Sequence, residues 1–238
     1  MSTPLTVEIW RGTEQGRFET YQVPTQPSQT VLDLVTYVQR KLDPTLAYRF
    51  ACRVGVCGSC AMTVNGTPRW TCRTHVNKVA SGGRVRIAPL RNLPVLRDLA
   101  TDMAPLFDKG QQAMGRFVAA EAEAAAVAVV PPEDPKRKEV DAAIECIGCG
   151  VCYAGCDVVA WRPDYLGPAA LNRAWTLVND VRDGDRRGHL QAVAADAGCH
   201  ACHSHQACAE HCPVGLNPSR SIAGLKRLVL MAAIKGEL

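Results

Sequence analysis

The sequence predicts an α+β fold in two parts, a front part of mixed strand and helix and a rear part that is helical. Three observations predict it. Short runs with alternating apolar residues recur as far as Ile87, the mark of half-buried strands. Beyond residue 113, helix-forming Ala and Glu and helical apolar spacing take over. The cysteines fall into three groups, 52–72, 146–156 and 199–212, and leave Arg73–Glu145 without any, as expected of two domains with separate cofactors.

Leu5–Trp10 alternates through Leu5, Val7 and Ile9 and reads as a strand, with Arg17–Val23 as its hairpin partner across the Gly12–Gly16 turn region. Val31–Leu42 places apolar residues at 31, 34, 35, 38 and 42, which is helical spacing, and Pro44 stops the helix. Asn65-Gly66 predicts a tight hairpin between Ala61–Val64 and the segment approaching Cys72. Arg84–Ile87 alternates again as a closing strand. In the rear part a helix is expected over Ala113–Val130, and the proline-rich 130–135 segment breaks it. The basic triplet 136–138 reads as a solvated helix start, and further helices are expected over Pro168–Val181 and Pro218–Ile234.

Composition narrows the function. The 238 residues suit one large or two small domains. Lys plus Arg is 27 against 23 for Asp plus Glu, a net charge of +4 that supplies no large basic field for nucleic acid. Aromatics at 5% give no platform for stacking bases. The 12 cysteines are about 5% of the chain, below the roughly 8–10% of short disulfide scaffolds, and Met1–Pro4 leads straight into a strand-like run with no secretory character. A metal role is therefore expected for the cysteines. The most apolar stretch, Ala119–Val130, is interrupted by Glu121 and Glu123 and is shorter than the roughly 20 residues of a membrane span.

The first group, Cys52-x4-Cys57-x2-Cys60-x11-Cys72, has the plant-type spacing of a [2Fe–2S] ligand set. Gly55 and Gly58 let the backbone turn sharply between ligands and bring N–H groups to the sulfurs. Four thiolates also suit zinc, but the loop with internal glycines favours the two-iron cluster. The second group, Cys146-x2-Cys149-x2-Cys152-x3-Cys156, is the bacterial ferredoxin run, whose fourth cysteine serves the other cluster; Asp157 follows where proline is usual. The third group matches the same run with its second ligand replaced: Cys202-x2-His205-x2-Cys208-x3-Cys212-Pro213. Reciprocal exchange gives Cys212 to a [4Fe–4S] cluster with Cys146, Cys149 and Cys152. It leaves Cys156, Cys202 and Cys208 for a [3Fe–4S] cluster. His205 stands where a fourth ligand would be; the three-iron cluster is expected over a His-ligated four-iron one. Cys199 is left over, either a buried thiol or an alternative ligand.

These groups together resemble the iron–sulfur subunits of succinate dehydrogenase and fumarate reductase. The resemblance rests on Cys52-Arg-Val-Gly-Val-Cys57-Gly-Ser-Cys60-Ala-Met, on Leu96-Arg-Asp-Leu-Ala-Thr-Asp-Met103 and on Glu145-Cys-Ile-Gly-Cys-Gly-Val-Cys-Tyr153. Leu166-Gly-Pro-Ala-Ala170 and Cys212-Pro-Val-Gly-Leu-Asn-Pro218 extend it over nearly the whole chain. It implies a plant-ferredoxin-like β-grasp domain over 1–104 and an α-helical ferredoxin domain over 105–238. It also implies a flavoprotein partner carrying FAD, and a membrane anchor with a quinone site and, in many members, haem b. The chain would then lie peripherally on the cytoplasmic face of a bacterial inner membrane, relay electrons between FAD and quinone in the tricarboxylic acid cycle, and hold no dicarboxylate site. The family places a Trp and a His at the quinone pocket, and Trp161 and His203 match those positions. Val54 stands where the family commonly has an acidic residue. Two other classes compete: the iron–sulfur subunit of a different flavin-dependent oxidoreductase (heterodisulfide-reductase-like or glycolate-oxidase-like), and a structural zinc protein.

Overall fold

The computed structural model describes residues 4–120 and 129–238. The chain divides into two compact units, one formed by residues up to Met103 together with Ile147–Gly155, the other by Ala104–Cys146 and Cys156–Leu238.

In the first unit, β1 (Leu5–Arg11) pairs antiparallel with β2 (Arg17–Val23) from Leu5–Val23 to Arg11–Arg17. The helix α1 (Val31–Tyr37) follows, its first turn closed by a reciprocal capping box between Thr30 and Asp33. It continues as a π-helical turn, Val38–Leu42, and ends at Asp43 before Pro44. Then come β3 (Ala61–Val64) and β4 (Thr67–Trp70), joined through Asn65-Gly66, and β5 (Arg84–Ala88). The strand order is β2-β1-β5-β3-β4, with β1 parallel to β5 and the other neighbours antiparallel. Every strand and helix expected in this part is present. The inward residues Val7, Ile9, Val85 and Ile87 are fully buried and share one core with Val31, Leu34, Val35 and Val38 of the helix. Burial on that scale contributes about 1.5–3 kcal/mol per side chain, and it makes a mixed sheet wrapped on one helix.

A second, two-stranded ribbon, β6 (Val95–Arg97) and β7 (Ala100–Thr101), lies in the motif that carried part of the resemblance, and alternation did not announce it. Its turn residue Asp98 explains the motif. The side chain is buried, accepts the N–H groups of Gly12 (2.7 Å) and Ala47 (2.8 Å), and pairs with Arg11 Nε at 3.2 Å. Arg11 also pairs with Asp43, so one guanidinium ties β1 to the end of the helical segment and to the ribbon. Hydrogen bonds from the Thr45 hydroxyl and then the Arg11 charge hold the Asp43 carboxyl well below the usual carboxylate range.

The second unit is helical. Its longer helices are Ala104–Gln112, Pro135–Ile144, Gly167–Val178, Arg186–Ala194 and Pro218–Ile234. Three begin with the same chemistry: Asp134, Asp185 and Asn217 each cap a backbone N–H three residues on. The 136–138 triplet opens the Pro135–Ile144 helix, as expected, with Lys136 and Lys138 exposed. The 167–178 helix is the centre of the unit and buries Leu171, Ala174, Trp175, Leu177 and Val178. Ile222, Leu225 and Val229 of the last helix are likewise buried. Asn172 links three elements through buried hydrogen bonds, donating to Ala143 O (3.0 Å) and accepting from Ser221 Oγ (2.9 Å).

The helix expected over Ala113–Val130 is corrected where it is described. The preceding helix, Ala104–Gln112, went unread, and it closes with Gly115 N–H donating to Gly110 O at 2.8 Å and Met114 at φ 51°. The chain then runs extended, with Ala119 bridging Asp183. Ala120 N–H donates to Arg182 O, and Gly184 N–H to Val118 O. Long-range pairing overrides the local preference for helix. Residues 121–128 of that expectation lie outside the described residues. The helix expected to reach Val181 ends at Val178, with Asn179 capping it.

Candidate iron–sulfur sites

The loop between the helix segment and β3 carries Cys52, Cys57 and Cys60, and Cys72 sits in the 3₁₀ turn Thr71–Arg73 just after β4. The strand pairing of β3 with β4 is what returns Cys72 to Cys60: Thr71 N–H and hydroxyl both bond Cys60 O, at 3.2 and 2.8 Å. Cys72 N–H then points at Cys60 Sγ, 3.4 Å away. Arg53, Gly55 and Gly58 all take left-handed backbone, at φ 58°, 79° and 71°, so the loop curls around its own sulfurs. The result is a nest of donors. Cys52 Sγ accepts N–H groups from Val54 (3.4 Å), Val56 (3.3 Å) and Cys57 (3.3 Å). Those bonds favour the thiolate and pull the Cys52 thiol down to about 6. Cys72 is the opposite case, pushed up to about 12 by burial and by the adjacent Cys60. A cationic cluster of irons would reverse that penalty, since a coordinated thiol is held deprotonated. Four sulfurs with convergent N–H donors fit a two-iron cluster.

Gly58 has a further role. A Cβ there would lie 2.6 Å from Cys149 Cβ and 2.8 Å from Cys149 Cα. The backbone between Cys57 and Cys60 therefore touches the second cysteine run directly. Cys149 and Cys152 belong to the short segment that packs with the first unit, and Asn92 fixes it there by donating to Tyr153 O at 3.0 Å.

The second unit positions the others. Cys146 follows the Pro135–Ile144 helix, and Cys212, after the one-turn helix Ala207–Glu210, accepts Leu216 N–H at 3.3 Å. Cys156, Cys202 and Cys208 come together: the charges of Cys202 and Cys208 raise the pKa of Cys156, and that of Cys202 raises the pKa of Cys208. Each also has a donor: Val158 and Val159 N–H on Cys156, Ser204 N–H at 3.4 Å on Cys202, and Ser219 Oγ at 3.2 Å from Cys208. Burial is the largest effect on Cys156 and Cys208 and raises both. Tyr165, 1% exposed, faces the same three thiols, and its hydroxyl has no hydrogen-bond acceptor of proper geometry among the described residues. An orphaned phenol O–H beside three sulfurs fits an anionic cluster, which would supply the missing acceptor. Sequence spacing had not pointed to Tyr165, because nothing in a local pattern tells which buried ring turns toward a sulfur.

Trp161 ends the one-turn helix Asp157–Trp161 and is 67% exposed. Its ring meets His205 edge-on at 5.8 Å, and His205 stacks on His203 at 6.0 Å. Both histidines are exposed. Ser204 and Gln206, on either side of His205, are left-handed at φ 58° and 63°, which turns that ring outward onto its two neighbours. Cys199 is fully buried, and burial pushes its thiol up to about 11.

A mixed sheet with a plant-type cysteine loop, joined to ferredoxin-type cysteine runs on a helical scaffold, defines an iron–sulfur electron carrier. Residues 6–108 match the 2Fe-2S iron-sulfur cluster binding domain, and residues 142–216 match the 4Fe-4S dicluster domain. The fumarate reductase iron-sulfur subunit of Mycobacterium tuberculosis is 34% identical over 225 residues, covering 92% of this chain and 88% of that one. The succinate dehydrogenase iron-sulfur subunit of Paracoccus denitrificans is 31% identical, with 91% and 83% covered. Among solved structures, a chain of the Mycobacterium smegmatis Sdh1 complex in the apo form superposes with a TM-score of 0.87 at 27% identity, covering 99% and 98%. The chain belongs to the family of succinate dehydrogenase and fumarate reductase iron–sulfur subunits. No helix among the described residues is long and apolar enough to cross a membrane.

Proposed function

We propose that the chain is the electron-transfer subunit of a succinate dehydrogenase or fumarate reductase complex. Residues 1–104 hold [2Fe–2S] on Cys52, Cys57, Cys60 and Cys72. Residues 105–238 supply [4Fe–4S] with Cys146, Cys149, Cys152 and Cys212, and [3Fe–4S] with Cys156, Cys202 and Cys208. When bound, such clusters take up and release single electrons with little rearrangement, which suits passage between the FAD of a flavoprotein partner and membrane quinone. The observation that carries the relay is the approach of Gly58 to Cys149, which brings the loop of one ligand set onto the run of the next.

The chain's own residues do the rest. Backbone N–H groups donate to the sulfurs of Cys52, Cys57 and Cys60 and favour the thiolate at Cys52. Trp161 and His203 form the quinone edge: the indole N–H donates to a quinone oxygen, and the imidazole offers a ring nitrogen as a second hydrogen-bonding partner. His205 stands with them as an outward-facing neighbour rather than an iron ligand, which the exposed three-ring cluster supports. Cys199 is a structural thiol, supported by its burial. An anchor subunit, with or without haem b, fixes the complex to the cytoplasmic face of a bacterial inner membrane.

The test is purification of the complex from native membranes. A FAD-containing partner and succinate–quinone activity are expected, and a FAD partner acting on another substrate would overturn the reading. Electron paramagnetic resonance of the air-oxidised complex should give a strong three-iron signal. Silence there, with about four irons at the site and a signal gained in His205→Ala, would make His205 a ligand.

A further inference from the structure

Tyr165 lies in the turn that leads into the 167–178 helix, its own N–H donating to Arg162 O at 3.0 Å. The turn is held on its other side by Leu166 N–H donating to Ala197 O at 2.9 Å. The ring is therefore fixed by backbone at both shoulders. It is among the largest fully buried side chains of the protein, yet its hydroxyl has no partner of hydrogen-bond geometry among the described residues. Leaving a buried hydroxyl unsatisfied is costly, and native structures rarely do so without a ligand, ion or water to complete the bond. The groups around that hydroxyl are the sulfurs of Cys202, Cys156 and Cys208. A phenol hydroxyl is a neutral donor near neutral pH.

We propose that the Tyr165 hydroxyl donates a hydrogen bond to a sulfur of the cluster held by Cys156, Cys202 and Cys208, and thereby sets the potential at which that cluster accepts its electron. The inference rests on the three-cysteine ligand set proposed above. The added electron makes the cluster more negative, so a donor aimed at its sulfur stabilises the reduced state more than the oxidised one. Among the described residues, the donors at these thiols include backbone N–H groups on Cys156 and Cys202 and the Ser219 hydroxyl, from the start of the last helix, on Cys208. Tyr165 adds a side-chain O–H that all three thiols surround, from the turn before the 167–178 helix. It acts through the cluster and is a positioning residue for the potential, with no contact to any dicarboxylate or quinone required.

The experiment is a redox titration of the intact complex, followed through the oxidised-state paramagnetic signal of the three-iron cluster. Tyr165→Phe keeps the ring and removes only the donor. The oxidised-to-reduced ratio at a fixed potential should rise about fivefold, the scale of one hydrogen bond, which is a fall of about 40 mV for a one-electron couple. Site-specific 3-fluorotyrosine at the same position keeps the shape and strengthens the donor, and the potential should move the other way. Opposite shifts support the inference, since a purely structural role would not change sign. A signal that persists with an unmoved potential in both variants overturns it while leaving the ligand assignment intact. If Tyr165→Phe fails to assemble the cluster, the fluorotyrosine protein decides by the same criterion. Absence of the three-iron signal in the wild-type complex would sink both the ligand assignment and the inference.

Discussion

Cys52 and Cys72 begin with the same thiol chemistry and end some six pH units apart, at about 6 and about 12, because three backbone N–H groups surround one and apolar burial surrounds the other. Trp161 shows the converse logic, a large apolar ring left 67% exposed beside two exposed imidazoles. A ring of that size normally buries itself, and its exposure suits a partner surface with a quinone behind it. Trp161→Leu should slow quinone reduction at least tenfold, the loss expected when a hydrogen bond worth about 1.4 kcal/mol disappears from the transition state. Succinate oxidation by an artificial dye should stay intact. Equal loss of both activities would assign Trp161 to packing alone.

The loop from Cys52 to Cys60 works as one device, and Gly58 is its tightest point. Gly58→Ala meets two separate obstacles: a left-handed backbone at φ 71° and a clash with Cys149. Gly66, in the hairpin turn between β3 and β4, shares only the first, since its φ is 83° and nothing lies within 4 Å of an added Cβ. Gly66→Ala should therefore cost about 1–2 kcal/mol of stability and leave the two-iron content unchanged. Gly58→Ala should cost more and lower the two-iron occupancy, read from iron per protein and from the reduced-state signal. Matching behaviour of the two variants would show that the contact with Cys149 is dispensable. The β6–β7 ribbon is a second device. Its Asp98 serves two backbone N–H groups and Arg11 from a buried position. Asp98→Ala leaves both N–H groups without their acceptor and takes one of two carboxylates from the Arg11 guanidinium, a loss of about 3–5 kcal/mol. The thermal midpoint, followed by bleaching of the two-iron chromophore, should fall by roughly 6–20 °C. A change under 2 °C would mean that Arg11 is satisfied by Asp43 alone.

Across the whole chain, the proposed ligand sets interleave. Cys156 closes one sequence run but lies with Cys202 and Cys208, and charge couples the three. Reciprocal exchange then predicts crossed phenotypes. Cys212→Ser should damage the four-iron cluster of Cys146, Cys149 and Cys152, whereas Cys156→Ser should remove the three-iron signal and spare the four-iron one. If each variant loses the cluster of its own run, the assignment is wrong. The same interleaving bears on organisation, because Ile147–Gly155 packs with the first unit although its cysteines read as part of the second run.

Strands with a two-residue period, the Val31–Leu42 helical segment and the Asn65-Gly66 turn were legible in the residues because each is fixed by local sterics and by one buried face. Cysteine spacing was legible for a related reason, since neighbouring ligands on one loop have little freedom to reach anything but the same metal group. Residues 113–120 were misread because pairing with 182–184, far along the chain, outweighs the helix preference of Ala and Glu. Asp98, Gly58 and Tyr165 each took their meaning from a partner distant in sequence: Ala47, Cys149 and Cys202. Local pattern therefore decides which elements form and which residues can bind iron. Which buried donor faces which sulfur is settled by packing between remote segments, where a hydroxyl or a carboxylate finds its partner only after the cores have closed around it.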